Sequence, residues 1–129
     1  MRRSPRDPIA TTLRTLGFSD SAARRLAQAG TPIDLDPGVP LCTRGDRGDE
    51  AFLLLAGSAV VDLGDTKLTV GPGAVIGELA TLDPFARRNA DVHTTERSLV
   101  LVYDVQTFRA LAASDLRSVL RPERTAVAA

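Results

Sequence analysis

The residues best suited to chemistry lie in one short stretch, "GELATLDPFARRNA", which runs from Gly77 to Ala90. It opens with a Gly-Glu pair, continues into a helix-forming run and closes with two adjacent arginines, Arg87 and Arg88. A helix that begins at Gly77 leaves its first backbone N–H groups unpaired and carries partial positive charge there, which favours an anion. Because Gly77 has no side chain, the backbone can approach a ligand closely. The stretch therefore indicates a site for a small anion.

The same residues also have simpler interpretations. Glu78 at the start of a helix interacts favourably with the helix dipole and needs no ligand. An arginine pair in a loop rich in Gly, Pro and Asp is usually a solvated surface feature. On residue types alone, both interpretations stay open.

Other candidate residues point away from metal chemistry and catalysis. The chain has one histidine, His93, and one cysteine, Cys42, too few for a structural zinc site. We expect Cys42 to be a small core residue, since no histidine lies near it in sequence to activate the thiol. The "GDRGD" segment, Gly45 to Asp49, predicts a tight turn, because it lacks the spaced acceptors and final Glu of a calcium loop. We therefore expect no catalytic residue among these candidates and no metal site.

Length and charge limit the partners. A chain of 129 residues is expected to form one domain, and its 16 basic residues balance its 16 acidic ones. This balance provides no strongly basic face for DNA or for a membrane. The longest apolar run, Ala51 to Ala56, is far shorter than the roughly 20 residues of a membrane helix, and "MRRSPRDP" precedes no hydrophobic signal core. We expect a soluble cytoplasmic protein.

The first 30 residues have the pattern of two helices. Asp7 caps the first, Pro8 occupies its first turn and Gly17 ends it. Ser19 caps the second, which ends near Gly30. The apolar stripe of the second helix is predicted to comprise Ala22, Ala23, Leu26 and Ala27.

From residue 31 to 103 the chain consists of short apolar or alternating runs separated by Gly, Pro and Asp. Several short strands at a spacing of about 8 to 12 residues predict an all-β sandwich or barrel. "AGSA" and "LGDTK" are expected to be hairpin turns. Asp104 is predicted to cap a helix from Val105 to about Ala113, and Ser114 a short successor that ends before Pro122. The tail "ERTAVAA" is expected to fray.

This order of elements, with three blocks, resembles the cyclic nucleotide-binding domain family, which includes the sensor domains of bacterial catabolite activators and of protein kinase A regulatory subunits. The blocks are "PGVPLCTRGDRGDEAFLLLAGSAVV", "GPGAVIGELA" and "RRNADV". The resemblance implies a mostly β fold, a β-roll (jelly roll or double-stranded β-helix), with N-terminal helices, a short phosphate-cassette helix and C-terminal helices. It also implies one stand-alone domain over residues 1–129, with a helical segment at 7–30, a roll at 31–103, a cassette at 75–92 and final helices at 105–121.

The resemblance assigns roles to the opening stretch. It implies that Arg88 binds the cyclic phosphate and that Glu78 accepts a hydrogen bond from the ribose 2′-hydroxyl. Arg87 is left for solvent or for pairing with Asp83. Asn89 departs from the Ala, Ser or Thr common in the family, which leaves open the preference between adenine and guanine. The implied ligand-binding residues are Ile76, Gly77, Glu78, Leu79, Ala80, Arg88, Asn89 and Ala90.

The function implied by the resemblance is a non-enzymatic bacterial receptor for cyclic AMP or cyclic GMP, with cyclic AMP favoured. It would signal to a protein partner by movement of its C-terminal helices, without direct DNA binding. Asn89 and the short final helix keep open a second function, an interaction module that has lost its ligand. A metal-dependent cupin-like enzyme is a third, which would require further histidines.

Overall fold

The computed structural model describes residues 7–77, 86–112 and 126–127, with the backbone alone for Asp7, Ala126 and Val127. These residues form three helices and nine strands. In chain order the elements are α1 (Asp7–Thr15), α2 (Asp20–Ala29), β1 (Thr31–Leu35), β2 (Pro40–Cys42), β3 (Glu50–Ala56), β4 (Ala59–Asp62), β5 (Lys67–Val70), β6 (Val75–Ile76), β7 (Asp91–Thr94), β8 (Ser98–Asp104), α3 (Val105–Leu111) and β9 (Ala126–Val127).

Both N-terminal helices form where the sequence predicts them, and the predicted cap of the second is confirmed, whereas Asp7 lies within α1 as its first residue. The Ser19 hydroxyl accepts a hydrogen bond from the Ala22 N–H at 3.1 Å and so caps α2. Gly17, at φ 103°, follows the end of α1. The apolar stripe predicted for α2 is buried throughout.

The strands form two sheets, which confirms the predicted mostly β roll. One sheet has the order β1-β8-β3-β6-β9 and the other β2-β7-β4-β5. Among the described residues, every pairing between named strands is antiparallel except that of β6 with β9. "LGDTK" is the expected hairpin turn between β4 and β5.

The prediction of a hairpin at "AGSA" is wrong. This turn connects β3 to β4, which lie in different sheets, so it is a corner between the sheets. Gly57 has φ 93° there, and a Cβ on it would lie 2.7 Å from both the Arg97 carbonyl and the Ser98 Cα. A glycine permits both the turn and the close approach of β8.

The strand β3 is apolar on both of its faces because each face covers a different core. Leu53 and Leu55 pack with the helices, whereas Phe52 faces the interior of the roll. The two residues of β6 divide in the same way, with Val75 in the helical core and Ile76 in the roll. The sheet containing β3 and β6 therefore separates the two cores.

The helix α3 begins where predicted, since the Asp104 carboxylate accepts a hydrogen bond from the Thr107 N–H at 2.7 Å. This bond lowers the pKa of Asp104. Phe108 packs in the helical core, with its ring centroid 6.2 Å from that of Tyr103. The Tyr103 hydroxyl donates to the Leu26 carbonyl at 2.6 Å and so ties β8 to α2.

Two predicted helical segments, the phosphate-cassette helix after Gly77 and the short helix after Ser114, lie outside the described residues. Ala113, the predicted end of the preceding helix, lies outside them as well. The expectation that the tail frays is wrong for Ala126–Val127, which pairs as β9 with β6. The strand edge of β6 provides backbone N–H and C=O groups that a second strand can bind.

Candidate functional site

A buried arginine lies where β6 ends. Arg88 is only 5% exposed, although arginine is rarely fully buried. Its Nη1 donates to the Gly77 carbonyl at 3.1 Å, and its Nη2 donates to the Glu50 carbonyl. Glu50 lies in β3 and Gly77 directly follows β6 of the same sheet, and the two bonds orient the planar guanidinium.

The backbone of Arg88 is held by the turn that precedes β3. The Arg88 N–H donates to the Asp46 carbonyl, the Gly45 N–H donates to the Arg88 carbonyl, and both distances are 2.8 Å. Gly45 has φ 89°, the left-handed conformation that favours glycine. The "TRGD" turn thus binds both the N–H and the C=O group of Arg88.

Gly77 is required by the position of Arg88. It has φ 84°, and a Cβ on it would overlap with Nη1 of Arg88 and lie 3.0 Å from Cζ. The same Cβ would be 3.2 Å from the Glu50 carbonyl. The expected partner of a close approach at Gly77 is a ligand, whereas in the structure it is the Arg88 guanidinium.

The adjacent arginine lies differently. Arg87 is exposed, pairs with Arg47 in an isolated antiparallel bridge, and reaches the Gly45 carbonyl with Nη1 at 3.4 Å. Asp83, the residue predicted to pair with Arg87, lies outside the described residues. The two adjacent arginines therefore differ in burial, since Arg88 is enclosed by the fold and Arg87 is exposed to solvent.

The structure describes five of the eight predicted site residues. Gly77 and Arg88 are in contact, Ile76 and Ala90 are fully buried in the roll core, and Asn89 is exposed. Glu78, Leu79 and Ala80 lie outside the described residues.

Three residues that build this site are not predicted from the sequence. Glu50, Asp46 and Gly45 contribute backbone groups, whose hydrogen bonds do not depend on side-chain type. The only sequence signal for them is the Gly-Asp turn itself, which predicts a tight turn but not its contact with Arg88.

Cys42 lies in the roll core and within the electrostatic reach of Arg88. Burial raises the pKa of its thiol from 9.0 to about 11, and the Arg88 charge opposes this increase without cancelling it. The buried thiol is confirmed as a small core residue.

The raised pKa predicts a protected thiol. At pH 8 a shift from 9.0 to about 11 lowers the thiolate fraction about 100-fold, so iodoacetamide should alkylate the native protein at least that much more slowly than the urea-unfolded protein. Because the folded pKa lies above the unfolded one, the free energy of unfolding should fall as pH rises from 9 to 11. Mass spectrometry of alkylation against time measures the first effect. Equal rates in native and unfolded protein would contradict the burial of Cys42.

Within the residues that the structure describes, no three metal-ligating side chains come together. In the same part of the chain, no helix is both long enough and apolar enough to cross a membrane.

These features define a β-roll domain that holds a buried guanidinium between two backbone carbonyls. Residues 32–115 match the family model described as "Cyclic nucleotide-binding domain". The chain belongs to this family, which confirms the resemblance inferred from its sequence blocks.

Similar proteins share the domain within longer chains. "Pycsar effector protein PaPycTIR" of Pseudomonas aeruginosa is 36% identical over 98 residues, which cover 75% of this chain and 32% of that protein. The chain spans 27% to 34% of the length of the curated relatives that it matches.

Solved structures agree in fold. The structure described as "Sp-2Cl-cAMPS bound to PKAR CBD2" has a TM-score of 0.75 at 20% identity and covers 90% of this chain and 84% of its own. A cAMP-binding acyltransferase from Mycobacterium smegmatis has a TM-score of 0.61 at 29% identity and covers 80% of this chain and 35% of its own.

Proposed function

We propose that this domain is a non-enzymatic receptor for cyclic AMP. The observation that carries the proposal is the guanidinium of Arg88, which is buried and oriented by the carbonyls of Gly77 and Glu50. Domains of this family are typically regulatory, which supports a non-enzymatic role. The similarity to the cAMP-binding acyltransferase supports cyclic AMP as the ligand.

The chemistry of the ligand suits this site. A cyclic nucleotide has a phosphodiester with a single negative charge, and hydrogen bonds from a guanidinium to such a group are about twice as strong as neutral ones. Burial excludes water and so strengthens the attraction further. Glu78 directly follows Gly77, and we propose that its carboxylate accepts from the ribose 2′-hydroxyl.

Signal output is proposed to pass through the C-terminal helices. The helix α3 follows β8 without a gap, and Tyr103 of β8 contacts both α2 and Phe108 of α3. A ligand can shift these helices only if it binds one of their arrangements better than another. Ligand binding should therefore change amide hydrogen exchange in Val105–Leu111 as well as near Gly77. We propose that movement of these helices exposes or covers a surface that binds a protein partner.

Calorimetric titration with cyclic AMP and cyclic GMP tests the proposed function. We expect saturable binding of both, with cyclic AMP tighter. No heat and no thermal shift at millimolar ligand, with folded protein, would contradict a receptor and would favour a module that has lost its ligand. If cyclic GMP binds more tightly than cyclic AMP, the proposed preference for adenine is wrong, but the receptor function stands.

The role of Glu78 makes a separate prediction. The 2′-deoxy analogue of cyclic AMP should bind about ten- to a hundred-fold more weakly than cyclic AMP, the loss expected for one hydrogen bond of about 1.5 to 3 kcal/mol to a charged group. Glu78→Gln should weaken cyclic AMP similarly and remove most of the difference between the two ligands. Competition binding measures all four affinities. If wild-type protein binds both ligands equally, Glu78 does not read the ribose.

A further inference from the structure

The pairing of β9 with β6 connects a distant part of the chain to the site. The two strands run parallel, with Ala126 opposite Val75 and Val127 opposite Ile76. On its other edge β6 pairs with β3, through Phe52 opposite Ile76 and Leu53 opposite Val75. With β9 docked, this two-residue strand is bonded on both edges.

The strand β6 contacts both hydrophobic cores and leads directly into Gly77. Val75 is 3% exposed in the helical core, and Ile76 is fully buried in the roll core. The next residue is Gly77, whose carbonyl accepts the hydrogen bond from Arg88 at 3.1 Å. A shift of β6 would therefore displace the carbonyl that orients the guanidinium.

We infer that the segment carrying Ala126–Val127 is a regulatory strand whose docking on the edge of β6 strengthens cyclic nucleotide binding. Docking holds β6 in register with β3 and so keeps the Gly77 carbonyl in position to accept the hydrogen bond from Arg88. Because coupling between two sites is reciprocal, the nucleotide must also stabilise the docked strand. The inference rests on the proposed function, since it describes regulation of the same site.

Proline substitution separates the docked from the undocked state. The double variant Ala126→Pro/Val127→Pro removes both backbone N–H groups from β9, whichever of them donates to β6. The matched control Ala126→Thr/Val127→Thr changes the same positions but keeps both N–H groups and favours strand conformation. Thermal unfolding of each protein, in the full chain, shows that it is folded.

Two measurements decide the inference. In calorimetry with cyclic AMP, the proline variant should bind at least about five-fold more weakly than wild type, the lower end of typical coupling between linked sites, and the threonine control should bind like wild type. In hydrogen exchange of the wild type, saturating cyclic AMP should slow exchange of the amide, at Ala126 or Val127, that donates to β6.

The outcomes are distinguishable. Equal affinity of wild type and proline variant would overturn the inference and leave the receptor intact, as would exchange at residues 126–127 that cyclic AMP does not change. Absence of binding by the wild type would overturn the proposed function and this inference with it.

Discussion

Replacing Arg88 with alanine is expected to weaken cyclic AMP binding about 30- to 4,000-fold. Removal of one partner from a buried, charge-assisted pair costs about 2 to 5 kcal/mol, since the phosphodiester would remain buried without its countercharge. Arg87→Ala is the matched control, because Arg87 is exposed. Its loss should change affinity less than about five-fold, as exposed charge interactions contribute at most about 1 kcal/mol.

Calorimetry at one salt concentration measures both variants. An affinity of Arg88→Ala within five-fold of wild type, or an equal loss in Arg87→Ala, would contradict the assignment. Because Arg88 also bonds two carbonyls, its replacement should lower stability, so Arg88→Lys is a second variant. Lysine keeps the charge but lacks the planar fork, and its affinity should lie between those of wild type and Arg88→Ala.

Gly77→Ala is expected to cause a loss of similar size, at least about 30-fold, without changing any charge. The new Cβ would overlap with Nη1 of Arg88 and displace the guanidinium from its carbonyls. The substitution also places alanine at φ 84°, a left-handed conformation that costs about 1 to 2 kcal/mol.

Gly73→Ala separates these two effects. Gly73 has a similar φ of 95°, but a Cβ there would meet nothing within 4 Å. Both variants should lose stability in chemical unfolding, whereas only Gly77→Ala should lose cyclic AMP affinity. If the two variants bind cyclic AMP equally well, the contact between Gly77 and Arg88 is not part of the site.

The parts of the fold that were predicted correctly depend on residues close in sequence. Ser19 and Asp104 cap their helices through bonds to residues three positions ahead, and the stripe of α2 follows from helical periodicity. The predicted hairpin at "AGSA" and the fraying of Ala126–Val127 were wrong for a common reason. Whether a strand joins one sheet or another is decided by pairing with distant residues, and a two-residue strand has no periodic pattern.

The candidate site also combines features that could be predicted from the sequence with features that depend on the fold. The choice of Arg88 over Arg87 came from the family resemblance, because the two side chains are chemically identical and only the fold buries one of them. The acceptors that orient Arg88 are backbone carbonyls of Gly77 and Glu50, which carry no signature of residue type. Gly77 could be predicted as a point of close approach, but not that an arginine of this chain is what approaches it.

A crystal structure of the protein with cyclic AMP tests the central claim most directly. We expect the cyclic phosphate within hydrogen-bonding distance of the Arg88 guanidinium, at about 2.7 to 2.9 Å, and next to the backbone that follows Gly77. Nucleotide bound elsewhere, or a site without nucleotide at millimolar ligand while Arg88 keeps its bonds to Gly77 and Glu50, would contradict the claim.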